Sequence, residues 1–120
     1  MKYVLFLSLM FLVLCEDAPD DNIGCTEQFV YGLIITVKDA NINDILVEDV
    51  TVIIQDGEYQ EELMNIQGTN DFIGAGERPG NYTIKVTADG YESYTTEAIQ
   101  INANECHVIP EALEILLETN

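Results

Sequence analysis

The sequence predicts an all-β fold, an antiparallel sandwich of about seven strands. Three observations predict it. Apolar and polar residues alternate in short segments, turn residues separate those segments at regular spacing, and no convincing helix interrupts them. The alternation is clearest where Tyr82, Ile84, Val86 and Ala88 interleave with Asn81, Thr83, Lys85 and Thr87. One face of that segment is apolar and the other polar, the mark of a half-buried strand.

Before the first strand comes a targeting segment. Lys2 supplies a positive start, and residues 3–14 form an almost unbroken apolar run. The run is too short to cross a bilayer, which needs about 20 residues, but it suits the core of a signal peptide. Leu12-Val13-Leu14-Cys15 resembles a lipobox, in which the Cys is lipidated and becomes the first mature residue. Leu14 departs from that pattern, where Gly, Ala or Ser is usual. The acidic run from Cys15 through Asp21 looks like the tether that follows the lipidated Cys of Bacteroidetes-type surface lipoproteins. The expectation is therefore a signal peptide at 1–14, a tether at 15–24 and one domain at 25–120. The protein would be extracytoplasmic and held to a membrane through lipid on Cys15. The alternative is an ordinary secretory peptide cut after Cys15, which releases a secreted domain.

Both routes leave Cys25 and Cys106 as the remaining cysteines of three. In a small exported domain their expected fate is a disulfide. It would join the start of the first strand to the start of the last.

From residue 29 the pattern is β. Residues 29–39 place Tyr31, Leu33, Ile35 and Val37 on one face, and Ala40-Asn41-Ile42-Asn43-Asp44 is turn chemistry. Val50, Val52 and Ile54 line a second strand, closed by Asp56-Gly57. Residues 59–67 read as a third, weaker strand, broken by Gly68-Thr69-Asn70-Asp71 before Phe72-Ile73. Arg78-Pro79-Gly80 reads as a turn, with Pro presetting φ and Gly supplying the positive φ of a type II turn. The Tyr82 strand comes next, and Asp89-Gly90 suits a tight hairpin that returns through Tyr91 and Tyr94. After a brief alternation at 98–101 the last strand occupies 106–118, with an edge, bulge or break at Pro110. Leu113, Ile115 and Leu117 alternate with Glu114, Leu116 and Glu118, so this segment reads as strand although its composition would allow a helix.

The run from Phe72 to Tyr94 resembles the carboxypeptidase regulatory-like domains, small transthyretin-like (prealbumin-like) β-sandwiches, in their bacterial form. The residues that carry the resemblance are Gly74, Ala75, Glu77, Arg78, Gly80 and Tyr82, then Gly90 and Tyr91, then Cys106, His107 and Val108. It covers residues 25–117 and implies a fold, with these motif residues in structural roles. It implies no activity. Transthyretin-like hydroxyisourate hydrolases use several His with an Arg and end in Tyr-Arg-Gly-Ser, whereas this chain has one His and ends Leu-Leu-Glu-Thr-Asn. The peptidase activity of the family's namesakes belongs to a separate zinc domain whose ligands this chain lacks. The expectation is a protein that is not an enzyme and needs no cofactor.

Charge narrows the partners. All 22 acidic residues follow Cys15, against Lys38, Arg78 and Lys85, a net charge of −19 beyond that cysteine. Such a field repels nucleic acid and anionic headgroups and favours cationic partners. The expected partners are the membrane, through the lipid, and an envelope protein or glycan.

Four features could carry binding or chemistry. His107, the single imidazole, lies beside the expected disulfide and reads as structural or merely exposed. Asp39, Asn41, Asn43 and Asp44 crowd oxygen ligands suited to calcium. The EF-hand pattern fails there, because Asp44 stands where Gly is needed and Val50 where a bidentate Glu is needed. Turn-forming Asx residues explain the loop without metal. Glu77 and Arg78 read as a local ion pair or as turn hydrogen bonds before Pro79, with a partner-binding loop as the alternative. Among the tyrosines, Tyr31 and Tyr82 fall on core faces and Tyr91 at a turn, which leaves Tyr59 and Tyr94 as the exposed pair for a glycan.

Overall fold

The computed structural model describes residues 24–120; the signal-peptide segment, Cys15 and nearly all of the tether lie outside the described residues. Alternating segments become strands because only an extended chain sends successive side chains to opposite faces. The strands are β1 (Tyr31–Asp39), β2 (Ile45–Leu46), β3 (Val50–Asp56), β4 (Tyr59–Glu62), β5 (Met64–Asn65), β6 (Asp71–Gly76), β7 (Gly80–Ala88), β8 (Tyr94–Thr95), β9 (Ile99–Ile101) and β10 (Glu111–Leu117). One sheet runs β10-β1-β6-β5 with β2 against β1. The other runs β4-β3-β7-β8 with β9 against β7. The two sheets, antiparallel in every pair but one, make a sandwich-like fold, as the alternation predicts. No helix among the described residues is long and apolar enough to cross a membrane.

The inward residues are the ones the period-2 pattern selects. Leu33, Ile35 and Val37 of β1 meet Val52 and Ile54 of β3, Tyr82, Ile84 and Val86 of β7, and Ile115 and Leu117 of β10. All are buried. Burying an aliphatic or aromatic side chain of this size stabilises by about 1.5–3 kcal/mol, so this layer holds the sheets together.

Five details differ from the sequence reading. First, β10 pairs with β1 in parallel, Leu33 opposite Glu111 through Asp39 opposite Leu117. A parallel pair needs a long connection, and the whole second sheet lies between these two strands in the chain.

Second, residues 59–67 form two strands in different sheets, β4 on β3 and β5 on β6. Leu63 is the pivot: it is buried, and its N–H donates to the Val52 carbonyl at 2.8 Å. Gly74 makes room for it, since a Cβ there would stand 2.5 Å from Leu63 Cδ1.

Third, the last strand begins at Glu111, directly after Pro110, so the proline is a break. Residues 102–109 instead form a loop in which Ile109 N–H donates to Asn102 O at 2.7 Å.

Fourth, Ala88 to Tyr91 is a tight turn, with a 3.1 Å bond from Tyr91 N–H to Ala88 O and Gly90 at φ 84°. The return strand starts only at Tyr94, opposite Val86, while Tyr91 pairs with Thr119.

Fifth, the positive φ expected at Gly80 occurs at Ala75 (54°) and Glu77 (49°), and Gly80 opens β7. Glycine is needed at 80 for space: a Cβ would collide with Asp56 Oδ2 and stand 3.2 Å from Arg78 Nη1. Gly80→Ala should therefore destabilise by about 1–3 kcal/mol, the usual cost of overpacking. An unchanged urea midpoint would show that Asp56 moves aside freely.

Candidate functional site

Glu77, Arg78, Tyr82, His107 and Val108, among the residues that carry the resemblance, fall into two clusters, one around Glu77 and one around Arg78, whereas Tyr91 lies at the far end of β1, against Asp39. Glu77 and Arg78, adjacent in the chain, do not pair with each other. The left-handed backbone at Glu77 sends their side chains to different partners.

Glu77 ties the two ends of the domain together. Its Oε2 accepts from Val30 N–H at 2.9 Å and lies 2.6 Å from His107 Nδ1, while Oε1 accepts from Val108 N–H at 3.2 Å. The other His107 nitrogen, Nε2, is 3.1 Å from Thr26 Oγ1. Asn104 Oδ1 accepts from the backbone N–H groups of Cys106 and His107, which shapes the loop. Cys25 and Cys106 form the expected disulfide beside this network, with Cα atoms 5.3 Å apart and a sequence separation of 81. Both His107 nitrogens are engaged within the domain, which fits the structural reading of that residue.

Arg78 organises the second cluster. Its Nη1 donates to Asp56 Oδ2 at 3.0 Å and to the Tyr82 hydroxyl at 2.9 Å, and the guanidinium lies 3.7 Å over the Tyr59 ring. Tyr82 is fully buried, and its hydroxyl donates to the Arg78 carbonyl at 2.7 Å. The Tyr59 hydroxyl donates to Glu61 Oε1 at 2.8 Å, and that oxygen also accepts from Ala75 N–H at 3.1 Å. The first partner of the Arg78 charge is thus Tyr82, with Asp56 second, and both hold its pKa above the ordinary value. Tyr59, expected in the open, is half-buried under the guanidinium; Tyr94 is 47% exposed as expected.

The Asp39 loop is built by its own backbone. Asp39 Oδ1 accepts from Asn41 and Ile42 N–H at 2.7 and 3.0 Å, and Oδ2 accepts from the Tyr91 hydroxyl at 2.7 Å. Asn43 takes a positive φ of 66°, and its N–H donates to Asp39 O. Asp39 is buried while Asn41, Asn43 and Asp44 are exposed, so the four do not gather round a common centre. Both oxygens of the central carboxylate serve protein donors. Among the described residues no His, Cys, Asp or Glu group of three or more is arranged to hold a metal.

Asp56, Tyr59, Glu61 and Thr26 complete these clusters, and sequence reasoning assigned them no such role. Asp56 shows in sequence only as half of an Asp-Gly turn, and its pairing with Arg78 follows from the way β3 lies beside β7.

Two carboxylates give the fold an acid-sensitive side. At Glu77 burial pushes the pKa up, but bonds from His107, Val30 and Val108 outweigh it and hold the group below its ordinary 4.5. At Asp39 the Tyr91 hydroxyl, then the Ile42 and Asn41 N–H groups, hold the pKa below 3.8 against the opposing effect of burial. A depressed folded pKa supplies stability that is complete above the unfolded value and lost as pH falls through the folded one. The melting temperature should therefore fall as pH drops below 4.5 and further below 3.8. Glu77→Gln and Asp39→Asn should each lower it at neutral pH and flatten the acid limb. Limbs parallel to that of the parent would contradict the assignment.

No protein-family model matches this chain, and no curated protein does.

Proposed function

We propose that this is a non-catalytic, extracytoplasmic binding or structural module of the cell envelope, built as a carboxypeptidase regulatory-like sandwich and anchored by lipid on Cys15. The observation that carries this reading is where the polar side chains point. His107, Glu77, Arg78, Asp39 and Tyr82 make their bonds to other parts of the same domain, which is the work of a scaffold. The Cys25–Cys106 bridge supports an address outside the reducing cytosol. Leu12-Val13-Leu14-Cys15 and the acidic run after it support the anchor. On this reading the sandwich is a rigid platform, the tether lifts it from the headgroups, and recognition falls to its edges and loops.

The anchor is tested by fractionation. The parent protein should sediment with membranes and be released by detergent, whereas Cys15→Ala should stay unprocessed or appear soluble. A parent protein that is soluble without detergent would overturn the anchor and leave a secreted module.

A further inference from the structure

We infer that the free edge of β10 is the recognition surface, and that it takes an extended, cationic segment of a partner protein as an added strand. Edge strands expose unpaired N–H and C=O groups, and folds usually keep them short or block them with Lys, Pro or a bulge. The other strands at or near the sheet margins are short here: β5 and β8 have two residues each, β9 three and β4 four. β10 has seven, pairs only with β1 among the described strands, and contains neither Lys nor Pro nor Gly.

Beside that edge the sandwich is open. A groove of about 320 Å³ runs between β10 and the margin of the other sheet, lined by Tyr94, Ile99, Leu113 and Leu116. Tyr94 and Leu116 are 47% and 46% exposed, high for large apolar side chains. Strand addition uses both parts, since main-chain bonds to the edge provide affinity and alternate side chains entering the groove provide selectivity.

Charge selects the occupant. β10 carries Glu111 and Glu114, with Glu118 just beyond. Glu114 already pairs with Lys38 of β1 at 2.6 Å, which leaves Glu111 and Glu118 as the acids without a salt bridge among the described residues. A second copy pairing antiparallel through β10 in full register would set Glu114 against Glu114, which is destabilising for directly opposed like charges. The chain's own 16–23 segment is acidic and contains Pro19, so it is poorly suited to the same edge. A partner strand with Lys or Arg on one face and apolar residues on the other matches both the edge and the groove.

This inference rests on the binding role proposed above but not on the lipid, so the two fail separately. The test adds a seven-residue peptide of alternating Lys and Val to isotope-labelled protein, followed by amide NMR and hydrogen exchange. Saturable shifts should centre on residues 111–117 and 94–99, with slowed exchange at every second amide of β10. N-methylation along the pairing edge of the peptide, or Leu116→Lys in the protein, should weaken binding at least about tenfold. A Glu-Val peptide should not bind. Equal binding by the N-methylated peptide, shifts scattered over the acidic surface, or self-association of the protein through β10 would each overturn the proposal.

Discussion

Replacing Cys106 with serine should lower the stability of the domain by on the order of 4 kcal/mol, the chain-entropy value for a loop of this length. The bridge closes 81 residues of sequence separation, nearly all of the described chain. For a domain of about this size 1 kcal/mol moves the melting temperature by roughly 4–8 °C, so the transition should fall by about 20 °C. Reduction of the parent protein should give the same shift. The network around the bridge predicts where the domain loosens. Thr26, His107, Glu77 and Val30 draw the N-terminal segment onto the 102–109 loop, and without the covalent link these polar contacts alone must hold it. Hydrogen exchange in Cys106→Ser should therefore rise first at residues 25–30 and 102–109. An unchanged transition would show that the noncovalent network suffices and that the bridge is no staple.

Tyr82 should give the second large effect, and two substitutions separate its causes. The ring is fully buried beside Ile54 and Ile84, and it meets the Tyr59 ring edge-on at 6.4 Å. Tyr82→Ala removes that volume and should cost about 3–5 kcal/mol, the usual range for an aromatic cut to alanine in a core. Tyr82→Phe keeps the ring and removes only the hydroxyl. It leaves the Arg78 carbonyl and one Nη1 contact without their partner, which should cost about 1–3 kcal/mol. Tyr82→Phe should also loosen Arg78 over Tyr59, visible as a changed tyrosine ring shift. Equal losses in the two variants would mean that the hydroxyl carries the effect. A loss confined to alanine would mean that the hydroxyl's bonds to Arg78 contribute no stability.

Strands were legible because alternation is a local property of the chain. Tyr82, Ile84 and Val86 are buried and Asn81 and Lys85 exposed, as period 2 requires. Leu113, Ile115 and Leu117 likewise turn toward the core, and the helical composition of that segment did not prevail. The cysteine pair was legible by count. Direction and partner were not. A seven-residue apolar alternation looks the same in a parallel pair as in an antiparallel one, so nothing local marked β10 as the parallel neighbour of β1. Leu63 looked like one more strand residue, and only its burial between sheets makes it a crossing point. The candidate site was legible as residues rather than as contacts. Glu77 and Arg78 stood out beside each other, yet their partners, His107 at 30 residues' separation and Asp56 at 22, are assigned by sheet stacking and by the disulfide loop.

One measurement tests directly whether an exported, stapled sandwich is joined to a membrane through Cys15. It is the intact mass of the protein isolated from membranes, before and after reduction and alkylation. The predicted result is a chain that begins at Cys15, heavier by a diacylglyceryl and an acyl group, with two thiols that react only after reduction. An unmodified chain beginning at Glu16 or later, or thiols that react without reduction, would contradict it.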